Sequence, residues 1–210
     1  FRDRDMILRA AGVPESSPYL AEARAQGIPV RMSADLFAEL SGLPIIGVTG
    51  TRGKTTTTTM IHAILAAAGV KVLLGGNILG VSTLALLHDA DTATVAVLEL
   101  DSWQLQGFGA LHLSPHIAVL TTFYEDHQAY YRNDMQRYLK DKAQIFLHQS
   151  TQDTLIVGAQ AVPAIATQYP ETVQRVVHAS PRDVADWHFA IPGMHNRYNA
   201  ACARAAAKAY

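Results

Sequence analysis

The chain is poor in cysteine. Cys202 is the only one in 210 residues, so an internal disulfide is excluded and a cysteine-based zinc site has no spaced partners. That suits a reducing compartment, and a cytoplasmic location is expected. Charge is scarce too: 17% of residues are Asp, Glu, Lys or Arg, with a formal net charge of −1. Without a basic excess the chain lacks the field that nucleic acid or an anionic membrane surface requires, so any affinity for phosphate has to be local. Apolar runs of membrane-spanning length are missing, and so is a charged-then-apolar leader. At 49% hydrophobic residues the chain reads as a globular protein, expected to be a monomer whose partners are small molecules. Phe1 is not an initiator methionine, and Asn199 to Tyr210 runs in an alanine-rich helical pattern without a stop signal, so a fragment is expected.

What the chain does contain is concentrated in Ile45 to Thr59, IIGVTGTRGKTTTTT. An apolar strand there ends in a glycine-punctuated loop followed by a helix start. Gly50 and Gly53 let backbone N–H groups turn toward an anion, and the helix N-terminus adds its positive dipole end. Lys54 can reach the outer phosphates of a nucleotide, and the Thr55 hydroxyl can ligate magnesium. The common phosphate-loop spacing is not met, because it needs glycine where Val48 stands. The variant present is Gly50-Thr51-Arg52-Gly53-Lys54-Thr55.

From Ile45 onward, apolar strand candidates recur at Ile45 to Thr49, Val70 to Leu74, Val95 to Leu100, Ile117 to Thr121 and Leu155 to Val157, mostly with helical stretches between. Continuous Val/Ile/Leu strands alternating with helices predict an α/β fold: a mostly parallel sheet covered on both faces, with ligands beyond the carboxyl ends of the strands. Before it, helix-like pieces at Tyr19 to Ala25 and Ala34 to Leu40 flank a short Ile28-Pro29-Val30 strand. They read as the tail of a separate α/β unit, and Leu43-Pro44 marks the boundary, giving domains 1–43 and 44–210.

The strand-end rule selects the polar candidates. Glu99 ends a buried strand, where a carboxylate can hold magnesium or its water. Residues 121–127 place Glu125, Asp126 and His127 in one loop, which reads equally as a cation or proton-handling site and as an acidic surface loop. On a helix expected over Asp134 to His148, Met135, Tyr138, Leu139, Ile145 and Phe146 share a face. Lys142 falls within that face, whereas Lys140 and Asp141 point away toward solvent. Such a lysine either snorkels to the rim or acts with a lowered pKa. Near the end, Ile191 to Asn199 opens a last helix whose Asn196 and Asn199 share a face and can serve a planar base or cap the helix.

In this order the motifs resemble the Mur ligase family of ATP-dependent amide-forming enzymes. Gly50 to Thr55 is similar to its phosphate loop, Asp126-His127 to its Asp-His, and Gly193-Met194-His195-Asn196-Arg197-Tyr198-Asn199 to its Gly-x-His-Asn-x-x-Asn. Gly75-Gly76-Asn77-Ile78 and Glu99-Leu100-Asp101-Ser102-Trp103-Gln104-Leu105 are similar to turns of the D-glutamate-adding branch. The resemblance implies a P-loop-type central ATPase domain preceded by the tail of a Rossmann-like, UDP-binding domain. It implies ATP held by Gly50, Thr51, Arg52, Gly53, Lys54, Thr55 and Thr56, with Asn196 and Asn199 on the adenine. One Mg2+ would sit on Thr55 and Glu99 and a second on His127 and a carbamylated Lys142, with Lys54, His127 and Lys142 catalytic. Asn77 and Gln104 would hold the muramyl substrate. The implied reaction phosphorylates the alanyl carboxylate of UDP-MurNAc-L-Ala and lets D-glutamate attack the acyl phosphate, in peptidoglycan precursor synthesis.

Three departures stand out. Asp101 replaces a serine, Thr122 an asparagine, and Gln128-Ala129 an apolar-Asp pair. The family's C-terminal ligase domain has no counterpart in the sequence, so the chain alone is expected not to turn over. Alternative readings are another Mur ligase, a folylpolyglutamate synthase-like ligase, or a non-catalytic nucleotide-binding scaffold.

Overall fold

Short apolar runs closed by glycine, proline or threonine set the order of elements. The computed structural model describes residues 3–190 and 192–210, so Phe1, Arg2 and Ile191 lie outside the described residues. Along the chain run β1 (Ile7–Leu8), α1 (Pro18–Ala25), β2 (Val30–Arg31), α2 (Ser33–Ser41), β3 (Ile45–Thr49), α3 (Lys54–Ala67) and β4 (Val72–Gly76). After a 3₁₀ segment (Leu84–Thr92) come β5 (Val95–Glu99), α4 (Ser102–Ala110), β6 (Ile117–Leu120), α5 (Gln128–Tyr131), α6 (Met135–Ala143), β7 (Thr154–Gly158) and α7 (Val162–Gln168). Two further 3₁₀ turns flank β8 (Val176–Ala179), and α8 (Met194–Ala209) ends the chain.

β1 and β2 pair in parallel as a small separate sheet, while the main sheet has six strands in the order β4-β5-β3-β6-β7-β8, every pair parallel. Burial on both faces explains why its central strands are uniformly apolar. β3, β5 and β6 are buried at every position. Alternate residues serve opposite cores: Ile45, Leu98 and Leu120 meet α2, α4 and α6, whereas Ile46, Val97 and Val119 meet α3 and α8. The alanine stripe of α8, including Ala200, Ala203 and Ala206, lets that helix lie close to the sheet and α3. Strand β3 is the switch point: the chain leaves it for β4, returns to β5 on one side, then crosses to β6 on the other. A ligand crevice is expected at such a point.

Some expectations shift. The second main strand starts at Val72, not Val70, because Val70 N–H still closes the end of α3 on Leu65 O (3.0 Å). The helix expected over residues 134–148 stops at Ala143; Ile145 and Phe146 stay buried in a chain of turns. Asp141 does not face open solvent: it is half-buried and accepts from Gln106 Nε2 (2.6 Å) and Tyr131 OH (3.0 Å). Among the described residues, no helix is long and apolar enough to cross a membrane.

Candidate active site

The loop after β3 is built by its neighbours as much as by its glycines. Thr51 N–H donates to Thr122 O (2.8 Å) and Arg52 N–H to Thr122 Oγ1 (2.9 Å). Thr121 Oγ1 donates to Arg52 O (2.7 Å). The departure residue Thr122 therefore latches the loop to the end of β6. Those N–H groups are spent on the latch, which leaves the opening N–H groups of α3, capped by no side chain, as the donors an anion could use. Gly53, at the N-cap, has φ 85°, and a Cβ there would lie 2.2 Å from Asn199 Oδ1. Only glycine lets α8 come this close to the loop.

Two lysines converge on one carbonyl. Lys54 Nζ donates to Gly50 O (3.1 Å), and Lys142 Nζ donates to the same oxygen (3.0 Å) from α6. Lys142 does not snorkel: it is 1% exposed and lies 4.7 Å over the Tyr138 ring. Burial, and then the Lys54 charge, lower its pKa to about 7. Tyr138, which the sequence offered only as a core residue, is the hub here. Its ring touches those of Phe123, Tyr131 and His127, its hydroxyl lies 3.5 Å from Thr51 Oγ1, and burial pushes its pKa up to about 12.

His127 is half-buried, its ring set edge-on against Tyr138 at 5.9 Å between centres. It adopts φ 50°, meets the Trp103 ring at a tilt with 4.6 Å between centres, and its Nε2 lies 4.0 Å from Asp126 Oδ2. Burial lowers its pKa, Asp126 opposes the shift, and the Lys142 charge adds to it. Glu99 is 3% exposed, with its carboxyl raised by burial and pulled back by the Thr55 hydroxyl and Lys54. Its Oε2 is buried without a hydrogen-bond partner. An orphaned carboxylate oxygen beside a threonine hydroxyl fits a hard divalent cation that also takes phosphate and water oxygens. Among the described residues no three His, Cys, Asp or Glu side chains cluster as a closed metal cage.

Flanking cavities receive the other candidates. Asn77 and Gln104 line one of 430 Å³ together with Arg9, a residue the sequence did not single out. Arg9 is buried, pairs with Glu15, and donates to Trp103 O (3.2 Å) and Gln106 Oε1 (2.9 Å). Nothing in its flanking sequence marks it, since its partners on α4 lie far along the chain. The two asparagines are both 7% exposed but face different spaces. Asn196 lines a 360 Å³ apolar cavity with Met60, Trp187 and Phe189, and Asn199 lines a 550 Å³ cavity with Arg52, Gly53 and Tyr124. Thr56 borders both.

Comparison with known proteins gives the family. Residues 48–187 match the Mur ligase middle domain. The chain is 38% identical over 177 residues to the UDP-N-acetylmuramoylalanine–D-glutamate ligase of Roseiflexus sp. (strain RS-1), covering 82% of this chain and 38% of that protein. To the enzyme of the same name from Lactiplantibacillus plantarum it is 34% identical, covering 98% of this chain and 49% of the relative. The chain thus spans half or less of the length of these relatives. Among solved structures, the UDP-N-acetylmuramate:L-alanyl-gamma-D-glutamyl-meso-diaminopimelate ligase of Neisseria meningitides superposes with TM-score 0.67 at 17% identity, over 97% of this chain and 74% of its own. Folylpolyglutamate synthase of Mycobacterium tuberculosis, complexed with ADP and AMPPCP, gives 0.65 at 18%, over 83% and 57%. At such identities these two speak for the shared α/β fold alone. The family match over two-thirds of the residues and the curated relatives identify the chain as a member of the Mur ligase family, carrying its middle domain.

Proposed function

We propose that this chain is the nucleotide-binding part of an ATP-dependent ligase that adds D-glutamate to UDP-MurNAc-L-alanine in peptidoglycan precursor synthesis. The observation that carries it is the convergence of Lys54 and Lys142 on Gly50 O, beside the unpartnered Glu99 oxygen. The names of the relatives at 34–39% identity favour D-glutamate over other amino acids. Residues 44–210 are assigned to the ATP-binding domain and residues 1–43 to the end of a UDP-binding domain; the amino-acid half of the reaction belongs to a part outside these residues.

In this reading the first N–H groups of α3 and Lys54 bind the ATP phosphates, backed by Gly50, Thr51, Arg52 and Gly53. Thr55 and Glu99 would hold one Mg2+, and His127 with a carbamylated Lys142 a second; bound there, Mg2+ neutralises charge on the transferring phosphoryl group. The lowered pKa of Lys142 supplies the neutral amine that carbon dioxide requires. Thr56, Asn196 and Asn199 border the space for the nucleoside, with Asn196 on the rim of an apolar cavity that can take a base. Asn77 and Gln104 shape the muramyl side, in a cavity that Arg9 also lines while its guanidinium pairs with Glu15.

The test is ADP release by the chain extended to the length of its relatives, offered each UDP-muramyl substrate with each amino acid. Release only with UDP-MurNAc-L-Ala and D-glutamate is the expected outcome; release only with a different pair rejects the assignment. The 210-residue chain alone is expected to give no turnover. A nucleotide-binding scaffold, the competing reading, has no use for a lysine buried to 1% exposure under the phosphate loop.

A further inference from the structure

Asp101 has more charge than its visible task needs. It is the N-cap of α4: Gln104 N–H donates to its Oδ1 (2.8 Å), and its own N–H donates to Gln104 Oε1 (3.1 Å). Serine or asparagine would cap as well. Yet the side chain is a carboxylate, 5% exposed, and its Oδ2 is buried with no hydrogen-bond partner. Leaving such an oxygen dry and unpaired is costly. The capping box also fixes the rotamer, so Oδ2 is held in place rather than free to seek water.

Glu99 shows the same condition two residues earlier. Its Oε2 is likewise buried and unpartnered. Asp101 continues the strand in an extended conformation, and fully buried Leu100 lies between them. Positions i and i+2 on an extended chain project to one side, so the Glu99 and Asp101 side chains leave the end of β5 on the same side, near enough for the Asp101 charge to act on Glu99. Lys54 and Lys142 act on Asp101 across space while donating to Gly50 O.

We propose that Asp101 is a cation ligand of this chain, its Oδ2 joining Glu99 Oε2 to hold the divalent cation beside Thr55. This rests on the ligase reading for the cation's role, although the ligation itself does not need a nucleotide. One or two carboxylates completed by water and phosphate oxygens are an ordinary set for Mg2+. The second carboxylate gives the chain a cation site that fills before nucleotide arrives.

The probe is Mn2+ without nucleotide, titrated into the 210-residue chain and followed by the electron paramagnetic resonance signal of the free ion. Asp101→Asn and Asp101→Ser both keep the helix cap and remove the charge. Each is expected to weaken Mn2+ binding by about 10–100-fold and to shrink the rise in unfolding temperature that Mn2+ gives the native chain. Equal Mn2+ affinity in the native chain and both variants, or no Mn2+ binding to the native chain, overturns the proposal and leaves Asp101 a helix cap. A parallel titration with an ATP analogue and Mg2+ separates the two ideas. Loss of analogue binding with the Mn2+ difference intact rejects the ligase reading alone.

Discussion

Lys142 carries a cost that is written in its surroundings. It is buried against Tyr138 and faces another ammonium, Lys54, across a single carbonyl. Its pKa is about 7 in the fold against 10.5 in the unfolded chain. Between these values the unfolded chain binds more protons, so native stability rises with pH and is lost again as pH falls toward 7. Lys142→Met, which keeps the apolar stem, is expected to flatten that slope, measured as urea midpoints from pH 7 to 10. In the relatives' full length, Lys142→Ala is expected to abolish ligation, and short carboxylates are expected to restore part of it. His148 gives the opposite end of the pH scale. Burial and the neighbouring His112, 4.9 Å away between ring centres, hold it below its ordinary value. As pH falls through about 6.5 the unfolded chain is protonated first and native stability declines. His148→Gln should reduce the loss between pH 7 and 5 in the same denaturation series.

At the scale of elements, the turn after β4 shows how the site edge is made. Gly76 has φ 88°, and a Cβ there would lie 2.0 Å from Glu99 O, a backbone atom that cannot swing away. Asn77 N–H donates to that same oxygen (2.8 Å), so the close approach sets the end of β5 and the direction of Asn77 together. Gly76→Ala is expected to cost about 3 kcal/mol from left-handed strain and overpacking combined, read from the shift in thermal midpoint. The long central strands and the helix around Lys142 were legible because burial on both faces writes continuous apolar runs and a clear helical stripe. β1 and β8 were not legible, since β1 has only two residues and β8 leaves His178 and Val177 exposed. The stripe through Ile145 and Phe146 overstated α6 because turns after a helix can bury apolar side chains as well as a further helical turn does.

Across the whole molecule, Arg9 ties the small β1–β2 sheet to the main domain. Its side chain is 2% exposed and reaches α4 at Trp103 and Gln106 while pairing with half-buried Glu15. Arg9→Ala leaves those acceptors without a donor and is expected to destabilise the chain by about 2–3 kcal/mol. Limited proteolysis should then cut within residues 10–17 faster than in the native chain. Leu98→Ala tests the main core: at 0% exposure it is expected to cost about 2–5 kcal/mol, seen as a lower urea midpoint.

Local pattern determined the glycine-punctuated strand-to-helix loop at Gly50 to Thr55, the parallel α/β class, the strand-end positions of Glu99 and His127, and the burial of the Lys142 face. Each of these follows from residue spacing and from the short-range rules of strands, turns and helices. The tertiary structure alone decided that Lys54 and Lys142 share Gly50 O, that Thr122 latches the loop, and that Arg9 joins Asn77 and Gln104 at one cavity. Those meetings join residues far apart along the chain, 92 positions for Lys142 and Gly50, and such distances are closed only when the crossovers around β3 bring separate strand ends to one edge.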